Sequence, residues 1–93
     1  MVREFDSMKR AMVTHGVLDE VAIERKRQDT LWGEQNHSPA LYLTILLEEV
    51  GEVATEIFNA TTKASTLDYT REELIQVAAV AVAMVEAIDR RKI

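Results

Sequence analysis

From Leu74 to Val85 the only polar residue is Gln76. At about 100° per residue such a run is apolar almost all round, and a helix of that kind must be covered on several sides. The preceding Thr70-Arg71-Glu72-Glu73 reads as a capping box, with Thr70 as N-cap and Glu73 its reciprocal partner, and the helix is expected to run to about Arg90. A chain of 93 residues is one small domain near the lower limit for a self-sufficient core, and two or three other helices do not cover this one easily. The expected fold is all-α, a helical bundle with two long antiparallel helices completed by oligomerisation, most simply a two-fold dimer.

The second long helix starts at Ser38-Pro39, an N-cap followed by proline at the first helical position, and lasts to about Ala60. Leu43, Leu46, Leu47, Val50, Val53 and Ile57 form its expected core stripe. Glu48, Glu49, Glu52 and Glu56 fall on the other side, within roughly a quarter to a third of the wheel. Lys63 to Tyr69 is a short polar connection, so the last helix returns antiparallel and brings Glu72, Glu73 and Gln76 back toward the central helix or its symmetry mate.

Ahead of these lie a short helix over Met1–Thr14, with Phe5, Met8, Met12 and Val13 as candidate core contacts, and a stop signal at His15-Gly16. A further helix runs from Val17 or Leu18 to Leu31, ended by Trp32-Gly33. Glu24 and Gln28 share its apolar side with Val17 and Val21. Buried polar side chains cost a few kcal/mol unless satisfied, so either they pair internally or they face a pocket where a ligand meets them. Arg25, Lys26 and Arg27 are solvated cations or phosphate contacts, and Gly33 to His37 reads as a loop.

Charge narrows the chemistry. Between Arg27 and Lys63 there is no Lys or Arg, while Asp29, Glu34 and the four glutamates fall in the gap. Like charges three and four apart cost roughly 0.2–0.5 kcal/mol each. A face without countercharges suits a hard divalent cation, which takes oxygen ligands and brings its own charge. The formal charge of −5 argues against a nucleic-acid polymer, which needs a basic surface, but not against free nucleotides carried with a metal. The absence of cysteine excludes disulfide staples and thiolate zinc sites and fits a cytoplasmic setting. The apolar run Val77–Val85 is too short to span a bilayer, so no membrane partner is expected.

The order Glu48-Glu49-x-x-Glu52, a spacer of twenty residues, then Glu73-x-x-Gln76 resembles the EExxE…ExxD signature of the MazG-like all-α nucleoside triphosphate pyrophosphohydrolases, which include dimeric dUTPases and dCTP pyrophosphatases. Arg27-Gln28-Asp29-x-x-Trp32-Gly33-x-Gln35-x-His37-x-Pro39 resembles the stretch before the first motif in such proteins. The resemblance covers Val17 to Arg90, leaving residues 1–16 as an N-terminal extension to a 17–93 domain.

It implies Mg²⁺-dependent hydrolysis of a nucleoside triphosphate to the monophosphate and pyrophosphate, with Mn²⁺ as a possible substitute, by a homodimer or homotetramer. By matching positions, Glu49, Glu52 and Glu73 are metal ligands, Glu48 is a further ligand or the base on water, and Gln76 takes the place of the final aspartate. Trp32 is placed to stack on a base, and Asn36 or His37 to read its edge. Glu24 and Gln28 would face the substrate, and Arg27, Lys26 or Lys63 would steady phosphate. Gln76 offers an amide oxygen where the family has a charge. One outcome is a weaker metal site, another is compensation by Glu72 or Glu56. The third is a catalytically weak nucleotide-binding or protein-interaction helical dimer that uses the acidic face.

Overall fold

Local chemistry sets the helix boundaries of this chain. In the structure, a computed structural model that describes residues 2–63 and 65–93, the chain forms α1 (Val2–Trp32), α2 (Pro39–Thr62) and α3 (Asp68–Asp89), with no strand among the described residues. Helix α1 ends where expected. Gly33 takes the left-handed conformation, φ 71°, which lets its N–H reach the Asp29 carbonyl at 2.8 Å at no steric cost. The Ser38 hydroxyl accepts from the Leu41 N–H at 3.2 Å, capping α2.

Two boundaries differ from expectation. The stop at His15-Gly16 is absent, and α1 runs straight through it. A glycine inside a helix costs only about 1 kcal/mol, Gly16 is not among the positive-φ residues, and no proline follows. The capping box at Thr70 is also absent. Helix α3 begins at Asp68, its N–H bonded to the Thr66 hydroxyl at 3.3 Å, so Thr70 lies inside the first turn with a buried, unpartnered Oγ1. Glu73 is thereby released from cap duty.

Helix α3 packs against both α1 and α2, and among the described residues α1 and α2 do not pack on each other. Its inner face is small-sided, Ala79, Val80, Ala83 and Ala87, which lets the neighbouring backbones approach closely. Tyr42 of α2 is 3% exposed and packs with Ala83 and Ala87, flanked by Met84 and Ile93. Helix α1 is held by Arg25 to Glu86, Nε to Oε1 at 2.7 Å, and by Arg71 to Glu20. At the end of α3, Arg91 adopts φ 57°. Its N–H reaches the Ile88 carbonyl and that of Lys92 reaches Ala87, the double bond pattern of a Schellman cap.

The core is thinner than the sequence stripe implied. The line of α2 turned to α3 is Tyr42, Leu46, Glu49, Val53, Glu56 and Ala60, all buried or half-buried. Of the expected stripe, Leu43, Leu47, Val50 and Ile57 are exposed, as are Leu74, Val82, Val85 and Ile88 of α3 and the expected N-terminal core contacts Phe5, Met8, Met12 and Val13. No large side chain is fully enclosed among the described residues. The radius of gyration, 16.1 Å, exceeds the roughly 12 Å of a compact chain this long, because the first half of α1 stands clear of the other helices.

Candidate metal centre

Helix α2 turns Glu49 toward α3 because it lies two turns beyond Tyr42 on the same line, and Glu52 follows one turn later. Glu73 comes from the first turns of α3. Each of the three offers a carboxylate oxygen, and these oxygens lie within 4.8 Å of one another. Opposite ligands of an octahedral Mg²⁺ at 2.0–2.1 Å are about 4.2 Å apart, so small side-chain adjustments bring the trio to bonding distance of one ion.

The electrostatics agree with the donor set. Burial, followed by the neighbouring Glu52 carboxylate, pushes the Glu73 carboxyl up to about 7. Burial, then Glu52, also raises Glu49. Glu73 Oε2 is buried and has no hydrogen-bond partner. The nearby guanidinium groups are committed elsewhere: Arg27 to Glu24 through two bonds of 2.8 and 2.7 Å, Arg71 to Glu20, and Arg25 to Glu86 and Asp29. A buried carboxyl oxygen left without a partner, in a cluster whose carboxyls have only one another to bond, is a costly arrangement, and a bound cation would relieve it. Hard oxygen donors and missing countercharge fit Mg²⁺ or Mn²⁺.

Next to the trio is a cavity of about 210 Å³ whose lining includes Gln28, Trp32, His37, Tyr42, Glu49 and Gln76. A more open cleft of about 550 Å³ continues from it past Glu24, Glu72 and Glu73, with Gln76 bordering both spaces. Glu24 and Gln28 are buried as their helical phase required. Their two readings turn out to be joined: they pair internally, Gln28 Nε2 to Glu24 Oε2 at 3.3 Å, and they also border the cavity and cleft. Arg27 holds the Glu24 carboxyl below its ordinary value, with the Gln76 and Gln28 amides adding to the effect.

The other sequence candidates are dispersed. Glu48 is exposed and outside the trio. Asn36 is bonded on both sides, donating to Glu34 Oε2 at 2.8 Å and accepting from Arg90 Nη2 at 2.9 Å, so it braces the loop. Lys63 caps α2 through its backbone N–H and lines neither space. Sequence reasoning missed Tyr42, whose hydroxyl donates to the Gln35 carbonyl at 2.7 Å while its ring meets His37 edge-on, centroids 5.0 Å apart. The signal was a lone aromatic one turn after the Ser-Pro start, in phase with Glu49.

No protein-family model, curated protein or solved structure matches this chain. The site therefore has to be read from its own geometry and from the motif resemblance. No helix among the described residues is long and apolar enough to cross a membrane.

Proposed function

We propose that this protein is a Mg²⁺-dependent nucleotide pyrophosphohydrolase, converting a nucleoside triphosphate to the monophosphate and pyrophosphate. The observation that carries the reading is the meeting of Glu73 from α3 with Glu49 and Glu52 from α2 around a buried carboxylate oxygen without a partner. These are the positions that the resemblance to MazG-like enzymes marks as ligands. The bound ion would neutralise phosphate oxygens and lower the barrier to a hydroxide-like nucleophile.

The chain's own residues account for the rest of the site. Glu49, Glu52 and Glu73 would hold the cation, Gln76, which borders both spaces, would add a neutral amide oxygen, and Glu48, exposed and outside the trio, would take a proton from the attacking water. The 210 Å³ cavity is smaller than the roughly 300–1,000 Å³ of sites that enclose a drug-sized ligand. It suits a base held against Trp32 and the His37–Tyr42 pair, with the phosphates lying over the open cleft. Arg71 lines that cleft and Arg27, bonded to Glu24, adjoins it through that residue, so these two cations are the ones at hand for phosphate.

The working unit in this reading is a homo-oligomer. Tyr42 meets Ala83 and Ala87 while Glu49 and Glu52, further along α2, meet Glu73, the pattern of an antiparallel pair. That pair leaves outward stripes on α2 (Leu43, Leu47, Val50, Ile57) and α3 (Leu74, Val85, Ile88). Steps of four, three and seven residues along α2, and of eleven and three along α3, keep each set on one side of its helix. A second copy covers them and completes a four-helix bundle.

The test is pyrophosphate release from a panel of ribo- and deoxyribonucleoside triphosphates with Mg²⁺ or Mn²⁺, with EDTA as control. Metal-dependent release that Glu49→Gln and Glu52→Gln each abolish, while both variants keep their helicity, supports the proposal. Turnover unchanged in both variants removes the metal-site assignment. Silence across the panel together with Mg²⁺-dependent nucleotide binding favours the binding-only dimer, for which the Gln76 position is the specific argument.

A further inference from the structure

We propose that the first half of α1 pairs with the same segment of a second copy as a short parallel coiled coil. From Val2 to Gly16 every residue is exposed. Along this arm Phe5, Met8 and Met12 recur at three- and four-residue steps, and His15 continues the line. The three apolar side chains are 59%, 64% and 70% exposed. Val21, Glu24 and Gln28, the buried residues of α1, lie on roughly the opposite side of the helical wheel. The stripe is therefore turned away from the face that packs on α3, and its cover must come from another chain.

Charge identifies that chain as a second copy. With Phe5 and Met12 at the a positions and Met8 and His15 at d, Glu4 falls at g and Lys9 at the following e. In a parallel two-stranded coil each g side chain faces the next e of the partner, and such pairs set partner choice and orientation. Two copies of this arm match Glu4 with Lys9 twice, once from each strand. Antiparallel pairing instead sets Lys9 near Lys9 at the centre of the seam. Lys9 already leans along the seam edge, its Nζ 4.8 Å from the centre of the Phe5 ring. A helix this short is marginal in water on its own, and pairing gives its apolar stripe something to bury against. The inference is independent of the metal-site reading and stands or falls separately from it.

The chain has no cysteine, so one introduced thiol reports on one contact. In a parallel in-register pair like residues meet, and Met12→Cys is expected to form a disulfide-linked dimer under mild oxidation. Arg10→Cys, on the far side of the helix, is expected to cross-link more slowly by about tenfold or more, because its β-carbons are held apart. Lys9→Glu sets glutamates against each other twice and should slow Met12→Cys cross-linking about fivefold. Adding Glu4→Lys should restore the rate. All four positions are exposed, so unchanged circular dichroism is expected in every variant. Equal cross-linking of Met12→Cys and Arg10→Cys, or a Met12→Cys rate indifferent to Lys9→Glu, overturns the proposal. So does capture of the arm by anionic lipid vesicles without cross-linking, which would make a membrane surface its partner.

Discussion

Glu73→Gln is expected to stabilise the metal-free protein at alkaline pH and to leave it unchanged in acid. The Glu73 carboxyl stands at about 7 instead of 4.5, through burial and then through the Glu52 carboxylate beside it. Between those two values the folded chain keeps a proton that the unfolded chain has lost. The stabilising contribution of that proton is complete below about 4.5 and is lost as the pH rises through about 7. At about 1.4 kcal/mol per pH unit the swing is at most ~3.5 kcal/mol. Water reaching exposed Glu52 screens part of it, leaving about 1–2 kcal/mol. Gln has no proton to lose and escapes the penalty.

For a domain of this size each kcal/mol moves the melting temperature by about 4–8 °C. In EDTA at about pH 8 the variant should therefore melt roughly 5–15 °C above wild type, and at about pH 4 within ~2 °C of it. Groups away from the acidic trio titrate alike in both proteins and cancel in the difference. Mg²⁺ should reverse the order, because a ligand that binds only the folded chain stabilises it in proportion to its affinity and the variant has lost a ligand. Thermal circular dichroism at the two pH values, with EDTA and with Mg²⁺, reads all of this. Equal melting at about pH 8 in EDTA, or a difference that does not change with pH, refutes the crowded-carboxylate account of the site.

Gln76→Asp should tighten Mg²⁺ binding about tenfold, or ~1.4 kcal/mol, measured by titration calorimetry, and should make the metal-free protein less stable at alkaline pH by adding a further charge to the cluster. Tyr42→Phe removes the bond to the Gln35 carbonyl and should cost about 1 kcal/mol in urea unfolding. Tyr42→Ala also empties the α2–α3 contact and should cost about 3–5 kcal/mol. Arg91→Gly relieves a side chain held at φ 57° and should gain about 0.5–1 kcal/mol. A loss on that substitution would show that the Arg91 side chain matters more than its backbone.

What the sequence made legible was short-range chemistry. Ser38-Pro39 and Trp32-Gly33 mark true helix ends because a hydroxyl cap, a fixed proline φ and a left-handed glycine act within one turn. The inward phase of Glu24 and Gln28 was legible for the same reason, since it follows from 3.6 residues per turn. Gly16 and Gly33 are the same residue in similar company, yet only one ends a helix. What separates them lies downstream: Val17, Leu18 and Val21 carry the helical pattern on past Gly16, whereas Gly33 is followed only by polar residues up to Ser38-Pro39. Thr66 and Thr70 are likewise two hydroxyls one turn apart, yet α3 starts at Asp68 without a side-chain cap on Leu67, which leaves Glu73 inside the helix and in the acidic trio.

The larger misreading concerns α2, and it bears on the site. Two lines run along this helix one residue out of step, about 100° apart: Leu43, Leu47, Val50 and Ile57 on one, and Tyr42, Leu46, Glu49, Val53 and Glu56 on the other. The first is purely apolar, and the expected core stripe combined it with Leu46 and Val53 of the second. The chain instead turns the second toward α3 and carries two glutamates inward with it. A bundle built for its own stability would make the opposite choice, because each buried carboxylate costs free energy unless paired. The same choice burdens Glu49 and Glu73 with raised pKa values and leaves the better apolar line on the surface. Both costs have an explanation in the proposed activity: the inward glutamates are offset when a cation binds them, and the outward leucines when a second copy packs on them. Neither the acidic trio nor the bare seam is accounted for by the folding of a single chain.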